Sequence, residues 1–340
     1  MKRILVVGGG LIGARHVQVV QAHPGCELVG LVEPNPDVTS APDITRFSDM
    51  SEVNTPVDGV ILATPTHLHG PQGEYAAGRG WHMLIEKPVA GHMAAAQSLR
   101  SAVKRSGVGS LVGHHRRYHA SVQQLKKLIE DGVIGIPVAA NLIWAMKKPD
   151  AYFEGNWRAA GGSPVMINLV HDIDFLRFVI GEIATTTALR GVGLRSDQRI
   201  ESGAIALAFE NGATGTISFA DTTPSPWGFE AGTGENPNIG TTGQDMMWIM
   251  GTKGAVSFPS MTVWQGADWG TAATQVPLEK AQNTQAPLEA QLDHFLDVMD
   301  GARPLIDVAD AMRTLEVALH IEEQLGRQME GEPHARSALA

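Results

Sequence analysis

The sequence is short of the residues that build disulfide frameworks, thiolate metal sites and membrane spans. Cys26 is the single cysteine among 340 residues, which excludes an internal disulfide and a thiolate metal cluster. No apolar run approaches the roughly 20 residues that cross a bilayer. The formal net charge is −10, so the chain lacks the basic surface typical of proteins that bind nucleic acid or anionic membranes. The composition predicts a soluble globular protein and gives no sign of a nucleic-acid or membrane partner.

Familiar hydrolytic and metal-binding motifs are also missing. The chain has no serine or cysteine nucleophile elbow and no H-E-x-x-H sequence. His114 and His115 are adjacent on an extended segment and point to opposite faces, so we expect no metal there. Only Met1, Lys2 and Arg3 precede the first predicted strand, so we expect no secretory signal and a cytoplasmic location.

Glycine, by contrast, is abundant, and three of the 38 glycines form one pattern. They fit G-x-G-x-x-G directly behind an apolar run at 4–7. The first permits a tight turn, the second lets the backbone approach a pyrophosphate, and the third lets the next helix pack closely on the strand. The N-terminal N–H groups of that helix would then face the phosphates. The predicted cofactor-binding residues of this turn are Gly8, Gly10, Leu11, Ile12 and Gly13.

An acidic residue stands where a dinucleotide-binding fold needs one. The apolar run 28–32 ends in Glu33, about 20 residues past Gly13. A carboxylate there accepts hydrogen bonds from the adenosine ribose and repels a 2′-phosphate, and no lysine or arginine follows within four residues. We therefore predict NAD as the cofactor and consider NADP less favoured. The alternative is a plain strand–turn–helix with an ordinary surface glutamate.

Apolar runs alternate with helical patterns in the first third of the chain. This alternation predicts a doubly wound parallel sheet, a Rossmann domain over residues 1–120. The predicted strands are 4–7, 28–33, 59–64, 83–86 and 110–113, and the predicted helices are 13–22, 69–78, 93–106 and 119–130.

The pattern of predicted secondary structure changes after Pro137. Strand patterns joined by short turns predict a C-terminal α+β domain over 121–328 with an open, mostly antiparallel sheet. We expect a long loop at 224–245, packing of the last helix back toward the Rossmann domain, and a flexible tail at 329–340. The predicted strands are 138–145, 203–210, 213–220, 246–250 and 255–258, and the predicted helices are 170–180, 287–300 and 307–328.

Two segments whose side chains could take part in binding or catalysis follow predicted strands, at the sheet edge where such folds bind ligands. Residues 63–69 read A-T-P-T-H-L-H, in which each histidine is either a cofactor contact or a structural residue. Glu86-Lys87-Pro88 would place a lysine at the nicotinamide end, where it can polarise a hydroxyl or carbonyl. The alternative is an exposed surface lysine. The cofactor contacts predicted in the first segment are Thr64, Pro65, His67 and His69.

A third segment, residues 161–174, begins with two glycines and leads into a helix. His171 and Asp174 are three residues apart and share a helix face. A histidine held by a carboxylate or an amide is a suitable proton donor and acceptor for alcohol–ketone chemistry. Helix capping and pairing with the helix dipole is the alternative for Asp172 and Asp174, and for Asp172 we prefer it.

Together with G-x-x-R-R-Y at 113–118, these motifs resemble the glucose–fructose oxidoreductase / inositol dehydrogenase / rhizopine-catabolism family, abbreviated Gfo/Idh/MocA. Their order and spacing match from residue 4 to about residue 181. The resemblance implies a Rossmann domain and a C-terminal domain whose open sheet forms a homodimer or homotetramer. It also implies oxidation or reduction of sugars, polyols and related compounds with NAD(P).

The resemblance also implies roles for individual residues. Lys87 would be the catalytic lysine and His171 the acid/base. Glu86 would contact the nicotinamide-side ribose, Arg116 the substrate or the nicotinamide side, and Trp157-Arg158 would lie near the cofactor.

The chain departs from the family at one position. Many members carry aspartate four residues before the catalytic histidine, and Ile167 stands there. We hypothesise that the neighbouring Asn168 binds a substrate hydroxyl, that Asp174 orients His171, and that His115 tunes substrate choice. The predicted substrate-binding residues are His115, Arg116, Tyr152, Trp157, Asn168 and Asp174, with Trp227 as a further candidate and Lys147 and Lys148 if the substrate is carboxylated.

The favoured function is an NAD-dependent dehydrogenase acting on a secondary alcohol or ketone. The substrate would be a sugar, inositol, sugar acid or related cyclic polyol or diol, with Lys87 and His171 handling the proton. Two alternatives remain open: NAD-dependent glycoside cleavage, and a non-catalytic sensor of NAD or a ligand. Retention of both Lys87 and His171 argues against the sensor.

Overall fold

The computed structural model describes residues 1–38, 44–153, 163–196, 199–276, 278 and 285–330. The chain divides into two compact units. The first unit holds Met1–Ala120 and a closing segment that ends at Glu316. The second begins at Ser121 and is completed by the chain from Val317 onward. None of the helices in these described ranges is long and apolar enough to span a membrane.

A six-stranded parallel sheet forms the centre of the first unit. Its strands are β1 (Lys2–Val7), β2 (Cys26–Val32), β3 (Arg46–Phe47), β4 (Gly59–Leu62), β5 (His82–Ile85) and β6 (Ser110–Val112). The spatial order is β3-β2-β1-β4-β5-β6, and every neighbouring pair is parallel. This confirms the predicted doubly wound sheet, and the strand order reverses between β1 and β4, where such sheets bind ligands.

Three helices follow the strands of this sheet, as predicted: α1 (Leu11–Ala22), α2 (His69–Gly78) and α3 (Met93–Ser106). The strand interiors are buried because helices cover a parallel sheet on both faces. Helix α3 ends at Ser106 and is capped by Gly107, whose positive φ of 72° suits glycine. The short strand β3 was not predicted.

An eight-stranded sheet forms the second unit, which the chain enters through α4 (Ala120–Glu130). The order is β14-β13-β12-β11-β7-β10-β9-β8, and among the described strands only β7 and β10 pair in parallel. The predicted open, mostly antiparallel sheet is therefore confirmed. The strands are β7 (Pro137–Ala145), β8 (Ile183–Arg190), β9 (Ser202–Phe209), β10 (Thr214–Ala220), β11 (Met247–Gly251), β12 (Gly254–Phe258), β13 (Val263–Gln265) and β14 (Thr274–Val276).

One face of this sheet packs on an apolar core, and the other carries small exposed side chains. The core includes helix α5 (Val170–Val179), which a five-residue π-helix, Val165–Leu169, precedes. On the open face, alternate residues of the central strands are exposed, as the two-residue period of a strand requires. These residues include Ala204, Ala206, Thr216 and Ser218.

The segment predicted as a long loop, residues 224–245, contains a short helix, α6 (Phe229–Thr233). Phe229 is fully buried, and its ring centre lies 5.8 Å from that of Phe175 and 5.7 Å from that of Phe258. The loop prediction was therefore wrong at this point, because a buried aromatic anchor holds the segment on the core.

Two helices close the described chain, α7 (Pro287–Met299) and α8 (Val308–Glu330). Helix α7 and the first residues of α8 belong to the first unit, and α8 from Val317 belongs to the second. The part of the predicted tail from residue 331 onward lies outside the described residues.

Two glutamines of α8 form hydrogen bonds with the backbone of the edge strand β8. Gln324 accepts from the N–H of Ala188 at 2.7 Å and donates to the carbonyl of Thr186 at 2.9 Å. Gln328 accepts from the N–H of Arg190 at 2.9 Å and donates to the carbonyl of Ala188 at 2.8 Å. The helix therefore binds the free edge of the sheet through side-chain amides.

Candidate cofactor cleft and catalytic groups

A cleft of about 760 Å³ opens at the carboxyl ends of β1, β2 and β4. It brings together five residues that the sequence predicted to bind the cofactor, although they lie in three separate segments. These are Gly8, Gly10, Glu33, Thr64 and Pro65, and they share the cleft with Asp49, Leu68, Gln72 and Tyr75, among others.

The glycine turn fits a dinucleotide because it leaves no room for side chains on the protein side. A Cβ on Gly13 would lie 1.9 Å from the carbonyl oxygen of Gly8, and Gly8 itself has a positive φ of 96°. A Cβ on Gly10 would meet no described protein atom within 4 Å, so this backbone is open to the cleft. Among the described residues no side chain caps the N-terminus of α1, where Leu11 is exposed. These N–H groups are suited to a phosphate.

Glu33 is fixed at the rim of the cleft by the backbone. Its carboxylate accepts the N–H of Gly9 at 2.8 Å and the N–H of Asn35 at 2.9 Å. A fixed anion at this position suits the hydroxyls of an adenosine ribose and opposes a 2′-phosphate. The cleft residues therefore fit NAD.

The two histidines of the A-T-P-T-H-L-H segment differ in exposure. His67 is exposed on the short turn Thr66–Leu68, and its role as a cofactor contact stays a prediction. His69 is only 1% exposed, with its ring nitrogens 2.8 Å from the carbonyl oxygen of Pro88 and 2.9 Å from that of Thr64. Burial lowers the pKa of His69, against the effect of the two carbonyls. The backbone therefore holds the His69 ring in place, and its role as a cofactor contact stays a prediction.

The neighbouring parallel strands β5 and β6 end in the two remaining motifs of this unit. Their carboxyl ends bring Glu86 and Lys87 into the same region as His115, whose charge acts on Glu86. His115 and Arg116 are both buried. Arg117 is instead a structural residue, since it donates to Asp310 at 2.8 Å.

Glu86 is committed to contacts within the protein. It is 4% exposed, lies 2.8 Å from Nε2 of His16, and accepts the backbone N–H of Lys87 at 3.2 Å. Burial alone would raise the pKa of Glu86, but the hydrogen bond and charge of His16, with His115 and Lys87, outweigh it and lower the pKa to about 2. This geometry does not favour the predicted contact with a ribose. Sequence reasoning missed His16, although it lies on the buried face of α1, one turn after Gly13.

In the second unit, His171 is buried near the start of α5. Asp174 lies one turn later, and its Oδ1 is 3.7 Å from the guanidinium of Arg177, which also pairs with Glu182 at 2.8 Å. Asp172 is fully buried. The role of Asp174 in orienting His171 stays a prediction.

The π-helix before α5 presents Asn168 to a buried lysine. Oδ1 of Asn168 accepts from Nζ of Lys148 at 2.6 Å, and this Nζ lies 5.0 Å from the ring centre of Tyr152 and 5.3 Å from that of Trp144. Lys148 therefore contacts two predicted substrate-binding residues, Tyr152 and Asn168. A π-helix adds a residue to one helical turn and is often found at functional sites.

The structure says little about three other residues that the sequence predicted to bind substrate or cofactor. Trp227 is 40% exposed, and Trp157 and Arg158 lie outside the described residues. Within the described ranges no group of three histidine, cysteine, aspartate or glutamate side chains could hold a metal ion.

Family models match both parts of the chain. Residues 2–114 match the model of the oxidoreductase family with an NAD-binding Rossmann fold, and residues 122–257 match the GFO/IDH/MocA C-terminal domain. The chain belongs to the GFO/IDH/MocA oxidoreductase family. The resemblance seen in the motifs is thereby confirmed, as is NAD as the nucleotide of the Rossmann unit.

Relatives within the family are distant. The scyllo-inositol 2-dehydrogenase (NAD(+)) of Bacillus subtilis is 26% identical over an alignment of 344 positions. The match covers 93% of this chain and 92% of that protein. The uncharacterized oxidoreductase YrbE of the same organism is 26% identical over 229 residues, and the match covers 62% of this chain and 65% of YrbE. The crystal structure of the WlbA dehydrogenase from Bordetella pertussis, in complex with NADH and UDP-GlcNAcA, has a TM-score of 0.77 at 23% identity and covers 96% of this chain and 97% of that chain.

Proposed function

We propose that the protein is an NAD-dependent dehydrogenase acting on a secondary alcohol or ketone of a sugar, inositol, sugar acid or related cyclic polyol. The observation that carries this proposal is the cleft of the first unit, where the glycine turn and Glu33 meet at the carboxyl ends of the strands. Similarity to an inositol dehydrogenase over nearly the whole chain supports the substrate class.

Within this proposal NAD, when bound, supplies the hydride acceptor of the oxidation. The C–H bond of the alcohol carbon breaks with its electron pair, and the hydroxyl proton passes to a side chain. Lys87 hydrogen-bonds the reacting oxygen, and His171 takes the proton during oxidation and returns it during reduction. Tyr152, Asn168 and Lys148 bind the hydroxyl or carboxylate groups of the substrate.

The test measures NADH formation by the purified protein across aldoses, inositols, sugar acids and cyclic diols. Each active substrate is repeated with NADP, with Lys87→Ala, and with Lys104→Ala, an exposed lysine of α3, as the matched control. We expect turnover with NAD that is lost in Lys87→Ala and kept in Lys104→Ala. Turnover that persists in Lys87→Ala would contradict the role of this lysine.

Two other results would indicate the alternative functions. A glycoside consumed without net NADH would indicate cleavage with internal recycling of NAD. Tight NAD binding with no change in any compound of the panel would indicate a sensor.

We further propose that the open face of the eight-stranded sheet joins copies of the chain into a homodimer or homotetramer. Thr187, Ala206 and Thr216 lie side by side on this face, and small side chains let another flat surface approach closely. Light scattering after gel filtration should report an oligomer that dissociates in Ala206→Glu. The control Ala302→Glu, at an exposed alanine of the first unit, should stay assembled.

A further inference from the structure

A buried histidine–glutamate pair links helix α1 to the segment that carries Lys87. His16 lies on α1 and Glu86 follows β5, 70 residues later in the chain. Nε2 of His16 is 2.8 Å from Oε1 of Glu86, and the two side chains are 2% and 5% exposed. A polar contact so well shielded from water is a fixed part of the fold.

The second oxygen of this carboxylate holds the peptide that bears Lys87. Oε2 of Glu86 accepts the backbone N–H of Lys87 at 3.2 Å. The backbone of Gly113 also lies close to Glu86, because a Cβ on Gly113 would be 3.0 Å from both the Cα and the carboxyl carbon of Glu86. A turn of the carboxylate would therefore break its hydrogen bond to the Lys87 N–H.

The charge of Glu86 makes this bridge persistent. With His16 in contact, the pKa of Glu86 is lowered to about 2, so the carboxylate is ionised near neutral pH. An ionised carboxylate binds N–H donors more strongly than a neutral acid does. If His16 could not reach Glu86, the carboxyl group would lose its buried partner, and its hold on Lys87 would change.

We propose that His16 is a positioning residue for Lys87. It fixes Glu86, Glu86 fixes the peptide of Lys87, and the lysine thereby keeps its place relative to the helix that starts at the glycine turn. This inference rests on the proposed function only where it treats Lys87 as a catalytic residue. The structural coupling between His16 and Lys87 can be measured without turnover. Displacement of a catalytic group by about 1 Å can lower a rate by about 100-fold.

The test compares two amides that differ by one methylene. The side-chain N–H of His16→Gln can reach Glu86, and that of His16→Asn falls short. We expect His16→Asn to speed hydrogen exchange at the Lys87 amide selectively and to lower kcat by about 10- to 100-fold, with the Kd for NAD changed by less than about threefold. His16→Gln should recover most of both losses, which filling of space alone would not explain.

Several outcomes separate this inference from the proposed function. Unchanged exchange at Lys87 in His16→Asn, with unchanged kcat, would overturn the inference even if Lys87→Ala abolishes turnover. Absence of turnover in the unaltered protein would overturn the proposed function, and the exchange comparison would still decide the coupling. If His16→Asn does not fold, Glu86→Leu, which has no acceptor for the Lys87 N–H, is measured instead, and unchanged exchange at Lys87 in that variant would likewise overturn the inference.

Discussion

One partly buried carboxyl group on α8 predicts how the stability of the protein depends on pH. Glu322 accepts a hydrogen bond from the hydroxyl of Ser163, just before the π-helix. Burial raises the pKa of Glu322 from 4.5 to about 7. The folded protein therefore keeps this group neutral over a pH range in which the unfolded chain ionises it.

The sign and size of the effect follow from the two pKa values. Below pH 4.5 the group is protonated in both states, and its contribution to stability is complete. As the pH rises from 4.5 to about 7, the unfolded chain ionises first, and the free energy of unfolding falls. At about 1.4 kcal/mol per pH unit, the total loss is about 3 kcal/mol. Above about pH 7 both states are ionised and no further loss occurs.

The perturbation is Glu322→Gln, which keeps the shape and the acceptor for Ser163 but cannot ionise. We expect this variant to match the unaltered protein near pH 4.5 and to exceed its free energy of unfolding by up to about 3 kcal/mol at pH 8. Denaturant unfolding followed by circular dichroism at several pH values measures the difference. Glu316→Gln, at an exposed position on the same helix, is the control. A difference between Glu322→Gln and the unaltered protein that is equal at pH 5 and pH 8 would refute the reasoning.

Two further predictions concern the cofactor cleft. Glu33→Gln removes the charge that opposes a 2′-phosphate, so the preference for NAD over NADP in binding should fall by about tenfold or more, which titration with both nucleotides measures. Glu27→Gln, at an exposed position on β2, the strand that Glu33 follows, should keep the original preference. Gly13→Ala should lower both Tm and NAD affinity, because the added Cβ meets the carbonyl oxygen of Gly8 at 1.9 Å. Gly10→Ala should lower NAD affinity alone, because the added Cβ meets no described protein atom within 4 Å and lies in the open space of the cleft. Equal losses of Tm in the two variants would contradict this distinction.

The fold of the first unit could be predicted because its signals are local. Buried parallel strands are continuous apolar runs, and the spacing from Gly8 to Glu33 lies within one strand–helix–strand unit. The strand Arg46–Phe47 was missed because two residues carry no periodicity. Strand β8, Ile183–Arg190, was missed because its sequence is rich in threonine and alanine, as suits the open face of a sheet.

The candidate site was predicted where chemistry follows from a motif and missed where it follows from distant partners. Lys87 and His171 stand in short patterns that can be recognised along the chain. His16 gains its meaning only from Glu86. Lys148 was named only as a candidate for a carboxylated substrate, and its hydrogen bond to Asn168, 20 residues away, could not be foreseen. Periodicity also could not show that His69 is enclosed by two backbone carbonyls.

The two glutamines of α8 act in place of a ninth strand. A side-chain amide offers one carbonyl and N–H donors, as a peptide group does, so Gln324 and Gln328 pair with β8 as neighbouring backbone would. The spacing allows it, because four residues of helix rise about 6 Å and two residues of strand about 6.6 Å. The segment of β8 that they cover is thereby closed to a strand from another molecule. Edge-to-edge growth of the sheet, a common route to aggregation, is blocked there without any additional strand.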